Sequence, residues 1–136
     1  MNKNIQKLIK IYQEYATDWI QGNNTEWKEI INGKEVVVKF SDVVKYLDTN
    51  NVLTEEIDPK DLESILIQTK REPKRIQASD LKYPIIVTRT QGRYKKVLDG
   101  QHRIVKALTN DIPTIKTRIL DLDNAPEKFK VMFIEE

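Results

Sequence analysis

The residues whose types best suit ligand binding or catalysis form one short stretch near the middle of the chain, Asp99-Gly100-Gln101-His102-Arg103. Residues 94–98 before it are typical of a strand, and the apolar spacing from Ile104 onward predicts a helix, so the stretch forms a strand-to-helix corner. The first turn of a helix presents N–H groups without intrahelical partners and the positive end of the macrodipole, and both attract anions. The corner therefore indicates a site for a phosphate or a similar oxyanion.

Each residue of this corner has a candidate role, and most have a plain structural alternative. Gly100 allows close approach of a ligand and a positive φ. Arg103 can form two hydrogen bonds to a phosphate or pair with a surface acid, and His102, the only histidine, can donate to a ligand or to its own fold. Asp99 can hold Mg²⁺, orient a hydroxyl group or cap the helix. Gln101 is either a phosphate contact or an ordinary first-turn residue.

Composition excludes several classes of site and of protein. The 136 residues suit one domain, and no apolar run approaches the ~20 residues of a membrane span. Because cysteine is absent, there are no disulfides, cysteine nucleophiles or thiolate metal sites. A single histidine argues against zinc, so no metal ligands are predicted. The N-terminus is polar and lacks a signal-peptide pattern, so we expect a cytoplasmic protein that does not interact with membranes.

Charge is distributed unevenly along the chain. Residues 1–68 carry 8 Lys/Arg and 12 Asp/Glu, whereas residues 69–136 carry 15 and 9. A basic loop over residues 70–75 contains the candidate nucleic-acid contacts, which are Lys70, Arg71, Lys74 and Arg75. Such residues would bind backbone phosphates without sequence preference and with strong salt dependence. The alternative is an ordinary solvated loop.

The predicted elements alternate irregularly and indicate a single α+β domain. A helix over residues 4–21 carries a long apolar stripe that packs on the core or forms a dimer contact. It belongs to an N-terminal helical extension (1–33), which precedes a core (34–122) and a C-terminal helix (123–136). Within the core we expect a strand over 35–40, helices beginning at Ser41 and Asp58, a strand over 84–88, a hairpin turn at Gln91-Gly92, the corner helix over 101–108 and a strand over 115–119.

The segments Tyr83-Pro84-Ile85-Ile86-Val87, Val97 to Leu108 and Thr114 to Leu120 together resemble the ParB/sulfiredoxin superfamily. The likeness is greatest to the small ParB-like "nuclease domain" proteins common in phages. It covers roughly residues 34–122 and depends on the order helix, PIIV strand, hairpin, DGQHR corner, helix and strand. It implies a ParB/sulfiredoxin-like fold with a small mixed sheet and a hairpin leading into the motif helix.

The resemblance implies nucleotide binding at the corner. Members of the superfamily cradle nucleotide phosphates there, with CTP in ParB proteins and ATP in sulfiredoxins. By this likeness Gly100, Gln101, His102 and Arg103 would contact the phosphates of ATP or CTP, accompanied by Mg²⁺, and Asp99 and His102 would be the candidate catalytic residues. Sulfiredoxin chemistry is excluded because Gln101 stands where that family has its catalytic cysteine. No helix-turn-helix domain follows, so a segregation ParB is not expected.

Three functions remain open from the sequence. The first is an NTP-dependent phosphotransferase or NTPase in a phage DNA-related process, in the cytoplasm of a bacterial host. Glu55 or Glu56 would be alternative carboxylate bases, although both suit a solvated loop. The second is a non-catalytic nucleic-acid-binding module. The third is a module that retains the fold and binds a host protein.

Overall fold

The computed structural model describes residues 25–66 and 73–134, and within these residues the first element is a β-hairpin. Strand β1 (Glu26–Ile31) pairs antiparallel with β2 (Lys34–Lys39). The assignment of residues 1–33 to a helical extension is therefore wrong for β1. The sequence gives little indication of this strand, because only Trp27 and Ile31 are partly buried and its other residues are exposed. The predicted helix over 4–21 lies outside the described residues.

Four short elements follow this hairpin along the chain, and one of them, a strand, belongs to the main sheet. They are α1 (Phe40–Thr49), β3 (Glu55–Ile57), a 3-10 helix (Pro59–Ile65) and α2 (Pro73–Ala78). Helix α1 begins earlier than the Ser41 cap predicts, because the Asp42 carboxylate accepts the Lys39 N–H at 2.9 Å. The predicted cap at Asp58 is confirmed, since its Oδ1 accepts the Lys60 N–H at 2.9 Å.

The main sheet has four strands in the order β3-β6-β4-β5. Its remaining strands and the last two helices are β4 (Ile85–Thr90), β5 (Arg93–Asp99), α3 (Gln101–Thr109), β6 (Ile115–Asp121) and α4 (Glu127–Phe133). Strands β4 and β6 are parallel, and the other neighbouring pairs are antiparallel. The predicted α+β class with a mixed sheet is confirmed.

The β4–β5 hairpin leads directly to the corner. Its two-residue turn, Gln91-Gly92, has φ values of 50° and 74°, which suit the tight turn that joins twisted antiparallel strands. Asp123 holds this turn, because its carboxylate accepts the Thr90 hydroxyl at 2.6 Å and the Gln91 N–H at 3.0 Å. Strand β5 is irregular, with register shifts on both sides of its Val87–Val97 pair. Such bulges bend a strand and re-aim its end.

Two apolar cores lie on opposite faces of the main sheet. One core joins α1, β2 and α4 to the sheet through Val38, Val43, Leu47, Ile86, Leu120, Phe129 and Phe133. The other joins α3 and the 3-10 helix to the sheet through Leu62, Ile85, Val87, Ile104, Ala107, Ile115 and Ile119. Helix α3 is therefore fixed along its length against the sheet. Over residues 25–66 and 73–134, no helix has both the length and the apolar composition needed to cross a bilayer.

Candidate functional site

The predicted strand-to-helix corner is present, and glycine is required at its vertex. Gly100 is the residue between β5 and α3, with φ 109° and ψ 21° in the left-handed region. A Cβ at this position would lie 2.3 Å from Ile85 Cγ2 and 2.7 Å from Ile85 Cβ. Both the backbone conformation and the contact with β4 therefore exclude a side chain.

The first turn of α3 carries Gln101 and His102, which are both partly buried. The first hydrogen bond within this helix runs from the Ile104 N–H to the Gly100 carbonyl, at 3.0 Å. The N–H groups of residues 101–103 consequently point out of the helix towards the corner rather than back into the helix. Over nine residues the aligned peptide dipoles give this end a partial positive charge.

Arg103 occupies a different place from the one that its type suggests. Its side chain is only 4% exposed and its guanidinium points into the fold. Nη1 donates to the carbonyls of Tyr83 at 3.1 Å and Pro84 at 2.6 Å, and Nη2 donates to Asp99 Oδ2 at 2.8 Å. In this structure the Arg103 donors are therefore held by protein oxygens, and phosphate binding by Arg103 stays a prediction. Arg103 holds the corner to the start of β4.

Asp99 is the partner in this buried ion pair. Its side chain is 8% exposed, and Oδ2 is held by Arg103 one helical turn further along the chain. Gly100, not Asp99, is the residue that caps α3. The predicted role of Asp99 as a helix cap is therefore wrong, and its roles as a catalytic group or an Mg²⁺ ligand stay predictions. In this structure the carboxylate pairs with a buried guanidinium.

Lys106 is a site-adjacent residue that sequence reasoning missed. Its Nζ donates to the carbonyls of Gln77 at 2.9 Å and Ser79 at 2.6 Å, at the end of α2. Burial lowers the pKa of Lys106, and the nearby charge of Asp80 partly opposes this. The only sequence signal was its position three residues after Arg103, which places both cations on neighbouring parts of one helix face.

Together the two cations fix the chain segment 77–84. Lys106 holds its beginning and Arg103 holds its end. Between them Asp80 forms a turn, accepting the Lys82 N–H on its side chain at 2.9 Å and the Tyr83 N–H on its carbonyl at 3.2 Å. The backbone of segment 77–84, beside the corner, is thus held at both ends by side-chain hydrogen bonds.

The candidate nucleic-acid contacts are only partly described. Lys70 and Arg71 lie outside the described residues. Lys74 is exposed on α2, and Arg75 belongs to the same helix although its side chain is not described. The prediction of a loop is wrong for residues 73–75, because Pro73 begins α2. Proline suits a first helical position, where an N–H donor is not needed.

The alternative bases do not reach the corner. Glu55 and Glu56 are exposed on β3, at one edge of the main sheet. The corner follows β5, at the opposite edge, with β6 and β4 between them. Within the described parts of the chain, no three His, Asp or Glu side chains are grouped as a metal site.

A cavity of about 330 Å³ lies beside the other end of α3, lined by Asp58, Pro59, Lys60, Ala107, Leu108, Asp111, Ile112 and Pro113. It contains no residue of the 99–103 corner.

Comparisons with protein-family models, curated proteins and solved structures find no match to this chain. The resemblance to the ParB/sulfiredoxin superfamily therefore stays a prediction.

Proposed function

We propose that this chain binds the phosphate groups of a nucleoside triphosphate, ATP or CTP, at the corner between β5 and α3. The observation that carries the proposal is Gly100, held at φ 109° against Ile85 at the start of a nine-residue helix. A glycine with positive φ at a helix N-terminus allows a ligand to approach the backbone closely, and the helix dipole favours a negative charge there.

In this proposal recognition depends on the backbone and on the first-turn side chains. The positive end of the α3 dipole would attract phosphate oxygens, and residues 101–103 would exchange contacts within the protein for hydrogen bonds to the ligand. Arg103 would contribute indirectly, because its hydrogen bonds to Asp99, Tyr83 and Pro84 fix the corner before a ligand arrives. A site that is already ordered loses less entropy when it binds.

The order of elements also supports the proposal. Strand β4, the hairpin, β5, the corner, α3 and β6 follow one another in the order that the superfamily resemblance implies. Mg²⁺ would accompany a triphosphate and neutralise part of its charge. Since Asp99 is paired with Arg103, such an ion would be held chiefly by the phosphates and water. The proposal covers nucleotide binding only. Hydrolysis or phosphoryl transfer by the same complex would be measured separately.

Calorimetric titration with ATP, CTP, GTP and UTP, each with Mg²⁺, tests this proposal. We expect binding by the intact protein and at least tenfold weaker binding by His102→Ala, because a hydrogen bond to a charged group contributes about 1.5–3 kcal/mol. Thr109→Ala, at the exposed far end of the same helix, is the matched control and should bind normally. Failure of all four nucleotides to bind well-folded protein would refute the proposal.

Salt dependence separates this function from nucleic-acid binding. A nucleotide held by oriented N–H groups should keep most of its affinity at 0.5 M salt. Binding of a DNA duplex through exposed lysines and arginines should instead fall steeply as counterions compete. A chain that binds DNA at low salt but no nucleotide at any salt would favour the nucleic-acid-binding module.

A further inference from the structure

The two edges of the main sheet carry opposite charge. Strand β3 and the residue that follows it form an acidic edge, whose exposed carboxylates are Glu55, Glu56 and Asp58. Strand β5 forms a basic edge, where Arg93 and Lys95 are exposed and Lys96 is partly buried. The strand order puts these edges at opposite ends of the same sheet.

These charges contribute little to the stability of a single copy. Within the described residues, Glu55, Glu56, Arg93 and Lys95 form no ion pair with one another or with other groups. Three strand spacings separate β3 from β5, which is roughly 14 Å. At physiological ionic strength that distance exceeds the Debye length of about 8 Å, so the attraction across the sheet is screened.

The acidic edge also carries an apolar group suited to a contact. Leu53, two residues before β3, is 79% exposed. A lone exposed leucine is common on protein surfaces, but this one adjoins a run of carboxylates. An apolar side chain with a charged rim is the usual arrangement of a protein interface.

We propose that copies of this chain associate head to tail, with the acidic edge of one copy docked on the basic edge of the next. Association through two identical edges is disfavoured, because it would bring like charges together. Each copy then offers two different surfaces, so the contact is heterologous and can extend beyond a dimer. Since both edges are short, the interface is small and the association is weak and salt-sensitive.

The test is sedimentation equilibrium over a range of concentrations, in 50 mM and in 500 mM salt. We expect the average mass of the intact protein to rise with concentration at low salt and to stay monomeric at high salt. Arg93→Glu/Lys95→Glu and Glu55→Lys/Glu56→Lys should each remain monomeric at low salt. An equimolar mixture of these two variants should associate, because one then carries two acidic edges and the other two basic edges.

Two controls separate edge docking from general charge effects. Lys34→Glu/Lys45→Glu changes the net charge by the same amount as the basic-edge variant but alters exposed lysines away from both edges, so it should still self-associate. Leu53→Ser leaves the charge unchanged and should weaken association at least severalfold. Near-ultraviolet circular dichroism confirms that each variant is folded.

Three results would overturn the proposal. The first is an intact protein that stays monomeric at low salt together with a variant mixture that does not associate. The second is self-association that persists in either edge variant. The third is a basic edge that binds a DNA duplex, with binding lost in Arg93→Glu/Lys95→Glu, while the variant mixture stays monomeric. That last outcome would make β5 a polyanion-binding surface instead.

Discussion

At the scale of single residues, Arg103 is a charged side chain that stabilises the fold, although it lies at a corner whose geometry suits ligand binding. Its guanidinium joins two chain segments, since Asp99 ends β5 at the corner and Pro84 immediately precedes β4. Asp99 ends β5 and Arg103 lies in the first turn of α3, so the left-handed Gly100 between them, not a helical spacing, sets their approach. The sequence does not reveal this pair, and its burial depends on the packing of β4.

The buried pair predicts a large loss of stability when one partner is removed. Arg103→Met leaves the Asp99 carboxylate buried without its cation, and we expect a decrease of about 3–5 kcal/mol in the free energy of unfolding. Urea denaturation measures this. Lys28→Ala, which removes an exposed ion pair of 3.8 Å with Glu26, is the control and should change stability by less than about 1 kcal/mol. Equal effects of the two substitutions would contradict the structural role of Arg103.

Alanine substitutions at three glycines with positive φ distinguish the stability cost of the backbone conformation from the cost of a steric clash. Gly100→Ala combines a positive φ with a Cβ placed against Ile85, whereas Gly33 and Gly92 have φ of 77° and 74° with nothing within 4 Å of the added Cβ. We expect Gly33→Ala and Gly92→Ala to lose about 1–2 kcal/mol each and Gly100→Ala to lose clearly more. Thermal unfolding of the three variants provides the comparison, and three equal losses would show that Ile85 moves aside.

At the scale of elements, the sequence was most informative where a pattern was local. The apolar run of β4, the Gln91-Gly92 turn and the amphipathic α3 are all present near their predicted positions. The sequence does not reveal β1 because most of its residues are exposed, and it does not reveal α2 because proline interrupts helices as well as beginning them. The bulges of β5 and the inward turn of Arg103 depend on partners distant in sequence, so no local pattern reveals them.

The hairpin turn that precedes the corner predicts a pH-dependent stability. Hydrogen bonds from Thr90 and Gln91 lower the pKa of Asp123, so its ionised form stabilises the folded state. This contribution is present at neutral pH and is lost as pH falls below about 4 and through the lowered pKa. We expect Asp123→Ala to be less stable than the intact protein at pH 7, with the difference shrinking towards pH 3. A difference that does not change with pH would exclude this role for Asp123.

At the scale of the whole molecule, the two cores share one sheet. Val43 belongs to the core on one face and Ile104 to the core on the other, and both are fully buried. We expect Val43→Ala and Ile104→Val to destabilise by amounts that add to within about 0.5 kcal/mol, because the sites share no packing partners. A single cooperative transition in calorimetry should persist in the double variant, as one domain requires. Two separate transitions would show that the cores unfold independently.

The position of β6 has a consequence for how the chain folds. It is the last strand along the chain, yet it lies between β3 and β4 and pairs with both. Since β5 and α3 intervene between the parallel strands β4 and β6, this pairing requires closure of a long loop, which slows folding. During synthesis, β4 and β5 can form early as a local hairpin, but one side of β4 stays unpaired until β6 emerges. That transient edge is where a nascent or truncated chain is most prone to aggregate.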